Sequence, residues 1–172
     1  MILIDYSQIA LSNIIVQKLN DESMIRHMIL NSIRMYNKRY REEYGQLVIC
    51  ADGMNTWRKE FFPEYKAARK KNRDSSGQDW TEIFRILHTV RDEIRDNLPY
   101  RVVHLEGVEA DDVIGTLTMQ TQEFGMAEPV MIISSDKDFI QLQRFNNVKQ
   151  FSPIQKKFVT EKNPRTYLFN HI

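Results

Sequence analysis

Seven carboxylates fall where strand-like runs give out. Asp5 follows the apolar run of residues 1–4 and Asp52 the run of residues 47–51, while Glu109, Asp111 and Asp112 open a helical stretch just after a third run at residues 102–105. Asp136 and Asp138 follow a fourth, at residues 130–133. In open α/β sheets ligands sit beyond the carboxyl ends of the strands, so these seven acids are expected on one edge of a sheet. A single aspartate at a helix start is most often an N-cap, and Asp112 or Asp138 alone would be read that way. The set is different, because several like charges held close together repel strongly unless protonated or neutralised by cations. Oxygen donors with no His or Cys among them suit Mg2+ or Mn2+ rather than zinc. The one cysteine, Cys50, can form neither an internal disulfide nor a cysteine zinc cluster. A calcium EF-hand is excluded, since Asp136-Lys-Asp138-Phe-Ile-Gln lacks the loop glycine and runs straight into apolar residues.

The charge is unevenly spread. Residues 57–73 carry seven basic side chains against two acidic ones, a net +5 that leaves −4 on the rest of a chain whose formal total is +1. A solvated basic helix face is the plain alternative, but an acidic cluster beside a basic segment points to a polyanion gripped by one part and cations gathered by another. Phosphodiester hydrolysis fits: divalent ions polarise a phosphoryl oxygen, generate hydroxide from water and stabilise the leaving oxygen.

The elements that must position these groups follow from periodicity. Besides the four apolar runs, a weaker strand is expected at residues 148–151. Helices are expected at residues 7–19, with Ile9, Ile14 and Val16 buried, and from the caps Asp21 and Ser23 to Gly45, with Met24, Ile25, Met28, Ile29, Ile33, Tyr36 and Tyr40 near helical spacing. Asp79 caps a third, carrying Ile83, Phe84, Leu87, Val90 and Ile94 and ended by Pro99. Two more are expected at residues 111–124 and 138–143. Apolar runs separated by helical stretches predict an α/β fold with a mainly parallel central sheet covered by helices on both faces. The polar run of residues 72–78 is expected to be a mobile loop. At 172 residues, 42% hydrophobic and 27% charged, the chain is expected to form one domain, and the composition excludes a disordered tail, a collagen-like repeat and a coiled coil. It has no apolar stretch of membrane-spanning length and no basic leader, so a soluble, cytoplasmic protein is expected, with no membrane partner.

Gly107-Val-Glu-Ala-Asp-Asp-Val-Ile-Gly115 and Ile133-Ser-Ser-Asp-Lys-Asp-Phe-Ile-Gln-Leu142 resemble two signature blocks of the 5′-nuclease (flap endonuclease) family. Trp57-Arg-Lys-Glu-Phe-Phe-Pro-Glu-Tyr-Lys-Ala-Ala-Arg69 is similar to the family's block ending in Tyr-Lys-x-x-Arg. The blocks stand in the family's order, with Ile4-Asp5 and Asp52 at the expected places before them. The resemblance implies a PIN-like catalytic domain over residues 1–172, with a basic arch at about residues 57–78. It implies Asp5, Asp52, Glu109, Asp111, Asp112 and Asp136 round a first Mg2+ or Mn2+, with Asp136 or Asp138 leading towards a second. Tyr65, Lys66 and Arg69 are implied in or beside the arch. There a ring can stack on an unpaired base and an ammonium can contact the scissile phosphate. Lys70, Lys71 and Arg73 extend the nucleic-acid-binding segment. Asp111, Asp136, Lys66 and Arg69 are the expected catalytic residues.

The family's further acid pair and its helical DNA-binding motif come after the region ending at Tyr167-Leu-Phe-Asn-His-Ile172, so a form lacking the C-terminal part is expected. Its second metal would then lack ligands, and nuclease activity would be weak or absent unless a partner supplied the rest. Expected partners are 5′-flap DNA or an RNA–DNA duplex, with a single-strand-binding protein, a clamp or a separate C-terminal polypeptide. The readings that compete are a non-catalytic nucleic-acid-binding remnant and a small PIN-type ribonuclease. Cys50 is expected in the core, Met24, Met28 and Met35 in packing, His27, His88, His104 and His171 as core or surface imidazoles, and Tyr36, Tyr40 and Tyr44 as a shield on one helix face.

Overall fold

A computed structural model describes residues 1–17, 21–53, 79–123 and 125–164. The basic segment expected to form an arch, with Tyr65, Lys66, Arg69, Lys70, Lys71 and Arg73, lies outside the described residues, as do residues 72–78, His171 and the side chain of Val16.

The elements run β1 (Ile2–Asp5), α1 (Tyr6–Gln17), α2 (Glu22–Tyr44), β2 (Leu47–Ala51), α3 (Trp80–Asn97), β3 (Arg101–His104), α4 (Ala110–Thr121), β4 (Val130–Ile133), a 3-10 helix (Lys137–Arg144), β5 (Val148–Ser152) and β6 (Lys157–Phe158). Asp21 caps α2 by accepting from the Ser23 and Met24 amides. Gly45 ends it at φ +83°, a left-handed conformation that suits glycine, with its N–H returned to the Arg41 carbonyl. Asp79 caps α3 through the Glu82 amide.

The six strands lie in the order β3-β2-β1-β4-β5-β6, with the first five parallel and β6 antiparallel to β5. Strands grow outward from β1 in both directions, so the order reverses between β1 and β4. That reversal opens the crevice in which doubly wound sheets bind ligands.

Strand side chains alternate between two cores. Ile2, Ile4, Leu47, Ile49, Met131, Ile133 and Phe151 pack with α1, α2 and α3, and Leu3, Val48, Cys50, Val130, Ile132 and Val148 pack with α4 and the 3-10 helix. The helices thus cover both faces, as the apolar runs predict. Across the first layer, Arg26 of α2 grips Glu93 of α3 through two hydrogen bonds of 2.8 and 2.9 Å.

Two expectations need correction, and one element was not expected. Met24 and Met35 are exposed, on the side of α2 away from its buried line of Ile25, Ile29, Ile33, Tyr36, Tyr40 and Tyr44. The helix after β4 is 3-10. And β6 had no counterpart among the expected elements, because its two residues are both exposed and form no apolar run.

Candidate metal centre

Because β1, β2, β3 and β4 are parallel, their carboxyl ends share one edge, and the seven expected acids all follow those ends. Asp5 is the last residue of β1 and stands in register with Cys50 of β2, so Asp52 emerges two residues further on. Leu3, Val48 and Cys50 face α4, and the same alternation turns Asp5 and Asp52 towards it. The first turn of α4 carries Asp111 and Asp112, with Glu109 at its N-cap position.

Asp5 is buried, 4% exposed, as is Glu109 at 3%. Burial, then the charges of Asp111 and Asp52, push its carboxyl up to about 7. Two hydroxyls oppose this: Ser7 Oγ donates to Asp5 Oδ1 at 3.2 Å and Ser134 Oγ to Oδ2 at 3.1 Å. Asp52 Oδ1 accepts from the Ala110 amide at 2.8 Å, where the N-terminal end of a helix favours negative charge. Glu109 is buried, Asp111 and Asp112 are half-buried, and Asp52 is exposed. The half-buried Asp136 is the N-cap of the 3-10 helix, accepting from the amide of the exposed Asp138 at 2.9 Å. Asp136 connects to Asp5 through Ser134, whose Oγ accepts from the Asp136 amide at 3.1 Å while donating to Asp5.

The acids therefore share an edge, and Asp5 lies in the field of Asp111 and Asp52. Among the described residues, no three His, Cys, Asp or Glu side chains form a group that would hold a metal ion.

Residue types alone gave no hint of two supports. A Cβ on Gly53 would lie 1.9 Å from the Leu105 carbonyl oxygen and 2.9 Å from that of Val108, and the Gly53 amide donates to the Val108 carbonyl at 2.7 Å. Glycine at this position lets the Asp52 segment lie against the loop that delivers Glu109. The Asp-Gly pair after a strand was the available signal. Ser134, fully buried, is the other support.

Cys50 is core, its thiol pushed up to about 12 by burial and then by Asp5. The His104 ring lies 3.3 Å from Arg91 Nη1, and its pKa is lowered, chiefly by burial.

Residues 1–167 match the family described as 5′-3′ exonuclease, N-terminal resolvase-like domain. This chain belongs to that family. It is 42% identical over 168 residues to ribonuclease H of Enterobacteria phage T4, covering 94% of this chain and 54% of that protein. It is 30% identical over 170 residues to DNA polymerase I of Bacillus caldotenax, covering 96% of this chain and 18% of that protein. The chain thus spans about half the length of the T4 relative. Its fold is also that of the T5 5′-exonuclease solved with bound zinc, at a TM-score of 0.75 and 18% identity, over 100% of this chain and 61% of that one. The T5 D15 flap endonuclease, solved in a pseudo-enzyme-product complex with DNA and metal ions, matches at a TM-score of 0.72 and 19% identity over 99% of this chain and 60% of that one. Among the described residues, no helix of this family member is long and apolar enough to cross a membrane.

Proposed function

We propose that this chain is the catalytic domain of a metal-dependent 5′-nuclease that hydrolyses phosphodiesters of 5′-flap or RNA-primed DNA, leaving a 5′-phosphate and a 3′-hydroxyl. One observation carries the reading: a buried carboxylate at the sheet's switch point, Asp5, lies in the field of Asp52 and Asp111 from two other strand exits. An all-oxygen, mutually repelling donor set fits Mg2+ or Mn2+. Asp5, Asp52, Glu109, Asp111, Asp112 and Asp136 would hold the first ion, and Asp136 or Asp138 would lead to a second. When bound, such ions supply Lewis acidity and a water-derived nucleophile at neutral pH.

The chain's own groups divide the remaining work. Ser7 and Ser134 orient Asp5, and the Ala110 amide orients Asp52. Lys66 and Arg69 offset charge growing on the phosphoryl oxygens. Tyr65 stacks on an unpaired base, and Lys70, Lys71 and Arg73 hold the backbone of the single strand. The T4 and T5 relatives support this substrate class through what they are named for, a ribonuclease H and a flap endonuclease.

The test is incubation of the purified chain with a labelled 5′-flap DNA and an RNA–DNA duplex in Mg2+, Mn2+ and EDTA, with single-stranded RNA as a third substrate. Cleavage of the first two that needs a divalent ion and leaves a 5′-phosphate is expected. Salt-sensitive binding that survives chelation, with no product in Mn2+, contradicts the reading and favours a binding remnant. Preference for single-stranded RNA favours a PIN-type ribonuclease.

A further inference from the structure

Gln150, in the middle of β5, is 1% exposed. Its Nε2 donates to the main-chain carbonyls of Ser134 and Asp136, both at 2.8 Å. Its Oε1 accepts from Gln143 Nε2 at 3.3 Å, and Gln143 also donates to the Val159 carbonyl at 2.9 Å. A carboxamide has two N–H donors. Here both end on the carbonyls either side of Ser135, which fixes the way the amide faces.

The same three residues are tied from other directions. The Ser134 amide donates to the Phe151 carbonyl at 3.1 Å, and the Ser135 and Ser152 hydroxyls lie 2.7 Å apart. Ser134 Oγ joins Asp5 to the Asp136 amide. The backbone between β4 and the 3-10 helix is therefore held on β5 by a side chain fourteen residues away in sequence from Asp136. An apolar residue of the same size would fill the space but leave two inward-facing carbonyls without this donor.

We propose that Gln150, steadied by Gln143, is a positioning residue: its carboxamide sets the backbone of residues 134–136 so that the carboxylates of Asp136 and Asp5 face one divalent cation. The proposal rests on the metal-centre reading above. Groups that orient metal ligands without touching the ion typically change metal affinity by about 10–100-fold when removed.

The experiment is calorimetric titration of Mn2+ into the full chain, with a melting temperature for every variant. Gln150→Met should weaken Mn2+ binding by about 10–100-fold. Val148→Ala, which opens a cavity in the same strand without touching residues 134–136, should lower the melting temperature but leave Mn2+ affinity unchanged. In an Asp136→Asn background, Gln150→Met should add little, because the ligand it positions is gone. Should Gln150→Met fail to fold, Gln150→Asn, which keeps an amide one methylene shorter, carries the same test. Wild-type affinity in the variant, or an affinity loss in Val148→Ala as large as in Gln150→Met, overturns the proposal alone. A wild-type chain that takes up no Mn2+ overturns the metal-centre reading, and the proposal with it.

Discussion

Replacing Asp5 with Asn should make the metal-free protein more stable at pH 8 while removing its response to Mg2+. The Asp5 carboxyl is raised from 3.8 to about 7 by burial, then by Asp111 and Asp52. At about 1.4 kcal/mol per pH unit, the charged form costs the folded state about 4 kcal/mol. An acid whose folded pKa lies above its unfolded value imposes no such cost below about pH 4. The cost grows as the pH rises and is complete above about pH 7. Asn is nearly isosteric, and the hydroxyls of Ser7 and Ser134 can turn to donate to it or accept from it. For a chain of this size, 1 kcal/mol moves the melting temperature by about 2–4 °C, so Asp5→Asn should melt on the order of 10 °C higher in EDTA at pH 8. By pH 5 the advantage should fall to less than half. Adding Mg2+ should raise the melting temperature of the wild type and leave that of the variant unmoved. A variant less stable than the wild type at pH 8, or an advantage independent of pH, would refute the electrostatic reasoning.

Other substitutions at the same edge have defined outcomes. Asp111→Asn removes the larger of the two carboxylate effects on Asp5 and should lower the Asp5 pKa, measured by NMR titration; it should also abolish cleavage while sparing DNA binding. Ser134→Ala deletes the hydroxyl bond to Asp5 and should raise its pKa further, shifting the Mn2+ affinity profile to higher pH; destabilisation of about 1–3 kcal/mol by denaturant titration should accompany it. Gly53→Ala forces a Cβ to 1.9 Å from the Leu105 carbonyl oxygen and should cost about 3 kcal/mol, read as a lower denaturation midpoint.

The frame of the site was legible because its placement depends on local patterns. Apolar runs such as residues 47–51 and 130–133 mark strands buried on both faces, and an aspartate at each exit locates the carboxyl edge. Helix caps at Asp21 and Asp79 followed from the same local chemistry. What sequence could not carry was long-range hydrogen bonding. Ser134 reaches Asp5 across 129 residues, and nothing about a serine just after a strand or a glutamine within one announces that it is buried with its donors committed. Met24 and Met35 are exposed because they lie on the face of α2 away from its buried line, so being apolar did not make them packing residues. The two-residue β6 pairs only because β5 is already in place, so it left no pattern of its own.

The central claim, that carboxylates from separate strand exits hold divalent ions at the switch point, is tested most directly by crystals of this chain soaked in Mn2+ and measured at the manganese absorption edge. An anomalous peak within bonding distance of carboxylate oxygens from at least two of Asp5, Asp52, Asp111 and Asp136 is expected. A peak elsewhere on the molecule, or none at saturating Mn2+, would contradict it.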